Sequence, residues 1–183
     1  DFKNDIKESI KIFNRNLGYN PIFFSYPFGE YSLKQKNFIK KNFEYAFGQH
    51  SGVIDSTKDK YELPRFPINE NYGKMKRFNS IIKYLPLQYK DFKPEDKYIL
   101  ANNNPPSVEI KFFENQKNIK NINCFSNEGE NWGNPNILVD EKNLMKISFK
   151  EKFTFRRGRL NCSLNESGKW KWFGHQFTIE IPK

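Results

Sequence analysis

The apolar residues of this 183-residue chain recur with a helical period before about residue 89 and with a period of two after it. Phe2, Ile6, Ile10, Phe13 and Leu17 form one stripe of a helix that Gly18 ends, and that stripe predicts packing against a sheet. Pro21 blocks further helix, and residues 22–26 (Ile-Phe-Phe-Ser-Tyr) read as a short strand buried on both faces. Ser32 and Gln35 have the spacing of a capping box, in which hydroxyl and side-chain amide satisfy free backbone amides, so a second helix is expected from there to about Lys41. Tyr45-Ala46-Phe47 follows as a strand. The order helix, strand, helix, strand is that of a parallel α/β unit. A polar loop occupies residues 48–62, an extended segment between two prolines occupies residues 63–68, and a third helix is expected over residues 74–84 before Pro86 stops it.

Residues 87–107, broken by prolines and by Asn102-Asn103-Asn104, read as a connector. Beyond it, Val108, Ile110 and Phe112 alternate with polar neighbours, as do Met145, Ile147 and Phe149, then Leu160, Cys162 and Leu164, then Phe177, Ile179 and Ile181. Asn165-Glu166-Ser167-Gly168 predicts a hairpin turn, and Glu128-Gly129 and Asp140-Glu141 predict further turns. A small antiparallel β-sandwich closes such strands most simply. The sequence therefore divides into an α/β part, residues 1–88, and an all-β part, residues 89–183, with the boundary near Tyr89.

Composition narrows the function. Two alanines, Ala46 and Ala101, argue against a helical bundle, and no apolar run approaches the roughly 20 residues that span a bilayer. The net charge of +10 invites a nucleic-acid partner, but the lysines are scattered and alternate with acids, as in Lys58-Asp59-Lys60, so no phosphate-tracking stripe forms and nucleic acid is not expected as a partner. His50 and His175 lie far apart, and Cys124 and Cys162 do not make a CxxC pair, so no metal ligands are assigned in this chain. The cysteines fall in separate predicted strands, where two buried thiols or a disulfide are both open; they are expected to approach each other across adjacent strands or facing sheets. The chain opens on Asp1 rather than Met and shows no signal peptide, which predicts a processed chain or a fragment.

Three segments carry a resemblance: residues 24–31 (Phe-Ser-Tyr-Pro-Phe-Gly-Glu-Tyr), residues 46–52 (Ala-Phe-Gly-Gln-His-Ser-Gly) and residues 63–69 (Leu-Pro-Arg-Phe-Pro-Ile-Asn). Together they resemble the second half of bacterial polysaccharide deacetylases, metal-dependent carbohydrate esterases with a distorted (β/α) barrel. Asn104-Pro105-Pro106, residues 157–162 and residues 170–174 are similar to the β-rich extension of some members. The resemblance implies a partial barrel followed by the sandwich. It also implies hydrolysis of N- or O-acetyl groups on a polysaccharide or oligosaccharide by water activated on a divalent metal such as zinc. The family's metal ligands lie in the first half of the barrel, which predicts that this chain alone is inactive. A non-catalytic carbohydrate-binding module is the alternative.

By that resemblance Pro27-Phe28-Gly29 match the turn whose aromatic residue offers its amide to the acetyl oxyanion, which assigns that role to Phe28. Tyr26, Pro27, Gly29 and Glu30 are then expected around the substrate. Ser25 stands where the family usually has arginine, and Arg65 is the candidate replacement; as a plain surface residue, Arg65 would pair with Glu62 or Glu70. The family's late histidine is absent from residues 63–68, so His50, in a glycine-flanked loop, is the candidate general acid, with an ordinary pKa near 6.5. That role requires its side chain to face the cleft beside the Phe28 amide. Trp170 and Trp172 share one strand face, either as a sugar-stacking platform or as sandwich core. Arg156, Arg157 and Arg159 either meet an anionic glycan or solvate an edge strand. His175 is expected to be structural or exposed.

Overall fold

The computed structural model describes residues 1–181. Helix α1 (Phe2–Leu17) has Asp1 as its N-cap and ends where Gly18 turns left-handed at φ 79°. Strand β1 (Phe23–Ser25) leads through the turn Pro27–Gly29 to α2 (Leu33–Ile39), whose Ser32/Gln35 capping box is formed in both directions. Strand β2 (Tyr45–Phe47) pairs with β1 in parallel, Phe24 opposite Ala46. Ile6, Tyr26, Tyr31, Ile39 and Ala46 make a small core between these elements.

This is where the expectation of a partial (β/α) deacetylase barrel fails. Among the described residues the parallel α/β part has a single two-stranded sheet, and the remaining strands belong to two larger β-sheets. A barrel needs a ring of parallel strands, each bridged by a helix. Strand β1 is also not buried on both faces: Phe23 and Ser25 are exposed, because neither face nor outer edge receives a third strand. Helix α3 (Met75–Ile81) forms, shorter than the apolar pattern implied and with no buried residue.

The segment expected as a connector contributes strands of its own. β3 (Leu85–Pro86), β4 (Asp91–Lys93) and β5 (Tyr98–Ile99) precede β6 (Val108–Lys111), β7 (Asn123–Ser126), β8 (Asn136–Val139) and β9 (Leu144–Ser148). Last come β10 (Arg157–Glu166) and β11 (Lys169–Ile179), a long hairpin closed at Ser167 and Gly168, both at positive φ. One sheet has the order β3-β11-β10-β7, with β5 also on β11; the other has the order β4-β6-β9-β8. Their inner faces meet in one core that includes Phe92, Ile110, Phe112, Met145, Leu160, Phe173 and Phe177, so the all-β part is a sandwich.

β3 and β5 are parallel to β11 and occupy the two ends of one of its edges, residues 171–172 and 178–179, while β10 takes the other edge. The stretch between has no strand partner on that side. The loop after β2 and the turn after β1 fill the gap: the Ser51 carbonyl accepts a hydrogen bond from Trp172 Nε1 at 3.2 Å, and the Gln176 side chain reaches the Phe28 carbonyl at 2.9 Å. Tyr31 N–H donates to Thr178 Oγ1 at 3.2 Å. The α/β part is thereby seated on β11.

Cys124 and Cys162 face each other across β7 and β10 and form a disulfide, with α-carbons 4.1 Å apart and a sequence separation of 38. Bridging a loop of that size restricts the unfolded chain, an effect of about 2–4 kcal/mol. The Cys124→Ala/Cys162→Ala variant should lose about that much in urea unfolding, and an unchanged midpoint would show that the pair contributes nothing.

Candidate functional site

The parallel pair β1–β2 positions the site's first half. Leu63 continues the pattern as a bridge parallel to Phe47, its N–H donating to the Ala46 carbonyl at 2.9 Å, and Arg65 N–H donates to the His50 carbonyl at 3.0 Å. Residues 48–52 and 63–69, distant in sequence, therefore run side by side. The turn at residues 27–29 touches them: a Cβ on Gly29 would stand 2.7 Å from Gln49 N, and its φ of +69° also favours glycine. Phe28 sits at φ 57°, a left-handed conformation that costs a phenylalanine on the order of 1 kcal/mol and is held by the Gln176 contact.

Between these segments and the outer face of β10 lies a cleft of about 600 Å³. His50, Arg65 and Tyr72 line it from the α/β side, and Trp132, Arg159 and Asn161 line it from the sandwich side. His175 reaches it from β11 and stacks on His50, the rings parallel within 5° and 5.8 Å apart. No carboxylate lines the cleft among the described residues.

Both imidazoles are buried, and burial is the main force pushing the pKa of His50 down to about 4; Lys97 and Lys58 add to it while Glu62 opposes it. His175 is driven well below its ordinary value by the same burial, then by Lys97 and by His50. The general-acid assignment for His50 is thus revised. The side chain lines the cleft, but the turn that carries Phe28 does not, and near neutrality the imidazole is uncharged rather than a ready proton donor.

Behind the histidines an ionic cluster around the buried Lys36 fixes the loop. Lys36 Nζ bonds Asp59 at 2.9 Å and Glu62 at 3.0 Å, and Tyr31 Oη donates to Glu62 at 3.1 Å. Burial alone would lower the Lys36 pKa, yet the two carboxylates outweigh it and raise it. Lys58 lies 3.9 Å above the Tyr89 ring, and burial takes its pKa down to about 8.

Other expected site residues have different work. Tyr26 is buried, stacked on Tyr31 at 4.3 Å with its hydroxyl on the Tyr61 carbonyl, so it is core and does not meet substrate. Glu30 holds Arg156 at 2.5 Å and lies 3.8 Å from Arg157, a clamp between turn and sandwich. Pro27 opens the turn and is exposed. Arg65 pairs with neither Glu62 nor Glu70; Glu62 is engaged by Lys36. Trp172 stacks on Tyr84 within 6° and packs on Phe66, while Trp170 borders a separate groove with Tyr84 and Leu85. The two tryptophans are neither sandwich core nor part of the histidine cleft.

Arg159 does not solvate an edge, because β10 lies between β11 and β7. Its alternation with Leu160 and Cys162 puts it, with Asn161, on or beside the outer face, a signal the sequence carried in its period of two. Trp132 left no such signal. It sits in an irregular loop, 51% exposed, fixed by backbone bonds between Ser126 and Gly133.

No family model matches the sequence, and no curated protein matches it. A solved structure of PcoC, a copper resistance protein from Escherichia coli, is similar over 51% of this chain and 99% of that one, at 14% identity and a TM-score of 0.35.

Two outcomes follow from this geometry. A side chain at Gly174 would overlap the Ser51 carbonyl and stand 2.7 Å from Asn161 Oδ1, so Gly174→Ala should cost about 1–3 kcal/mol and displace the His50 loop, seen as changed His50 and Trp172 resonances. The second concerns acid. A histidine held neutral has a folded pKa below its unfolded value near 6.5, so its stability contribution is complete above that pH and is lost as pH falls toward 4. Tm should drop between pH 6.5 and 4.5, and less steeply in His50→Gln; parallel profiles would contradict the burial argument.

Proposed function

We propose that this chain supplies the carbohydrate-binding surface of a polysaccharide deacetylase, with the sugar held in the cleft between the α/β part and the sandwich. The observation that carries the reading is the cleft's chemistry: an exposed indole, Trp132, beside the amide of Asn161 and the guanidinium of Arg159. An indole offers an apolar face to a sugar ring, and amides and guanidiniums offer directional hydrogen bonds to hydroxyl and acetyl oxygens. Two of the three segments that resemble the deacetylases, residues 46–52 and 63–69, contribute lining residues to this cleft, and the third abuts them through Gly29. The disulfide fits an oxidising compartment, where a cell-surface polysaccharide would be met.

The metal that the resemblance implies does not fit the residues present. Among the described residues no group of three or more His, Cys, Asp or Glu side chains could hold an ion, and the stacked His50–His175 pair has no carboxylate beside it in the cleft. That observation favours a second reading, a binding module without chemistry of its own. Under either reading the chain binds and orients sugar: Trp132 presents the stacking face, Asn161 and Arg159 hold polar substituents, and the neutral imidazoles donate or accept one hydrogen bond each.

An N-acetylated oligosaccharide titrated onto the protein should quench tryptophan fluorescence. Trp132→Ala should weaken binding by about tenfold or more, as loss of a stacking contact of on the order of 1–3 kcal/mol requires. With zinc added, the chain alone should release no acetate. Absence of binding at millimolar sugar would overturn the carbohydrate reading, and acetate release would overturn the assignment of the chemistry to groups outside these residues.

A further inference from the structure

Four arginines cluster where the α/β part meets the sandwich, and they divide by partner. Arg156 and Arg157 lie at the turn and are held by Glu30. Arg65 and Arg159 line the cleft, and among the described residues neither has an acidic partner. Nearby acids are engaged elsewhere: Glu62 with Lys36 and Tyr31, Asp59 with Lys36, and Asp55 beside Lys58. Arg159 Nε is buried with no hydrogen-bond partner, as is His175 Nε2 in the same cleft. A buried, unsatisfied donor on a charged group is costly unless something supplies the acceptor.

From this arrangement we infer that the cleft selects sugars bearing an oxyanion, such as the carboxylate of a uronic acid, gripped between Arg65 of the α/β part and Arg159 of the sandwich. The inference rests on the carbohydrate reading above and adds the charge of the ligand to it. A guanidinium meets a carboxylate with paired, parallel hydrogen bonds, a geometry that a neutral hydroxyl cannot return. Burial and the neighbouring Arg157 both penalise the charge on Arg159, so an arriving anion relieves a cost already present in the free protein. Arg77 bonds the Pro67 and Tyr72 carbonyls and lies 5.2 Å from the centre of the Tyr72 ring, which holds the loop that brings Tyr72 to the cleft wall. Because one arginine comes from each part of the chain, the anion also ties the two parts together.

The test is calorimetric titration of the full chain with three probes: a neutral N-acetylated oligosaccharide, one of equal length carrying a uronic acid, and inorganic phosphate. At low salt the acidic sugar should bind about tenfold tighter than the neutral one, and the advantage should shrink at high salt. Arg159→Gln and Arg65→Gln should each remove most of that advantage. Lys11→Gln, the same charge change on exposed α1, should keep it. Salt dependence in the unmodified protein tests the idea even where an arginine variant fails to fold. Equal affinity for the two sugars would overturn the charge preference and leave the carbohydrate reading standing. Phosphate binding as tightly as the acidic sugar would replace a sugar-borne anion with a free one. Binding of neither sugar would overturn both readings.

Discussion

From Phe173 to Ile179, strand β11 is buried on both faces, and the rest of the molecule is arranged around that fact. Its odd-numbered residues, Phe173, Phe177 and Ile179, enter the sandwich core. Its even-numbered residues, Trp172, Gln176 and Thr178, bond the α/β part through Ser51, Phe28 and Tyr31. A strand that must satisfy two layers cannot slip register, because a one-residue shift would exchange the two sets. At Gly174 the layers approach closely: without a side chain, the strand admits the Ser51 backbone directly against its own.

That close approach explains the site. Ser51 on β11 brings His50 beside His175, and the Arg65–His50 backbone bond carries the cleft's α/β wall along with it. The ionic cluster of Lys36, Asp59 and Glu62 then braces the same loop from the inside. Buried ion pairs contribute little net stability against an apolar replacement, but removing one partner strands the other. Their consequence here is positional: Glu62, next to Leu63 in the chain, cannot leave Lys36 without dragging the extended segment that carries Arg65.

The sequence made the local elements legible wherever one residue dictates one geometry. Gly18 ended α1, Ser32 and Gln35 capped α2, and the alternation around Cys162 placed β10 with its outer face correctly opposed to its core. Larger assembly was less legible. Residues 22–26 are apolar enough for a buried central strand, yet apolarity does not count the partners a strand receives, and β1 has one. Strands of two or three residues such as β3, β4 and β5 carry too few residues to show a period at all. Half of the site was visible as short segments in the α/β part. The other half depends on which strand lies beside which, and so Trp132 and His175 gave no sign of meeting His50.

The cleft separates its two kinds of basic group by environment. The imidazoles are buried and sit near Lys58 and Lys97, so both are kept neutral. The guanidiniums keep their charge even where burial opposes it, because arginine's intrinsic affinity for its proton is too high to reverse. Positive charge in the site is therefore fixed rather than titratable across the neutral range. Two unpaired guanidiniums repel an ammonium and attract a carboxylate. Because neither guanidinium titrates near neutrality, that discrimination between cations and anions holds across the neutral range, with no movement of the backbone required.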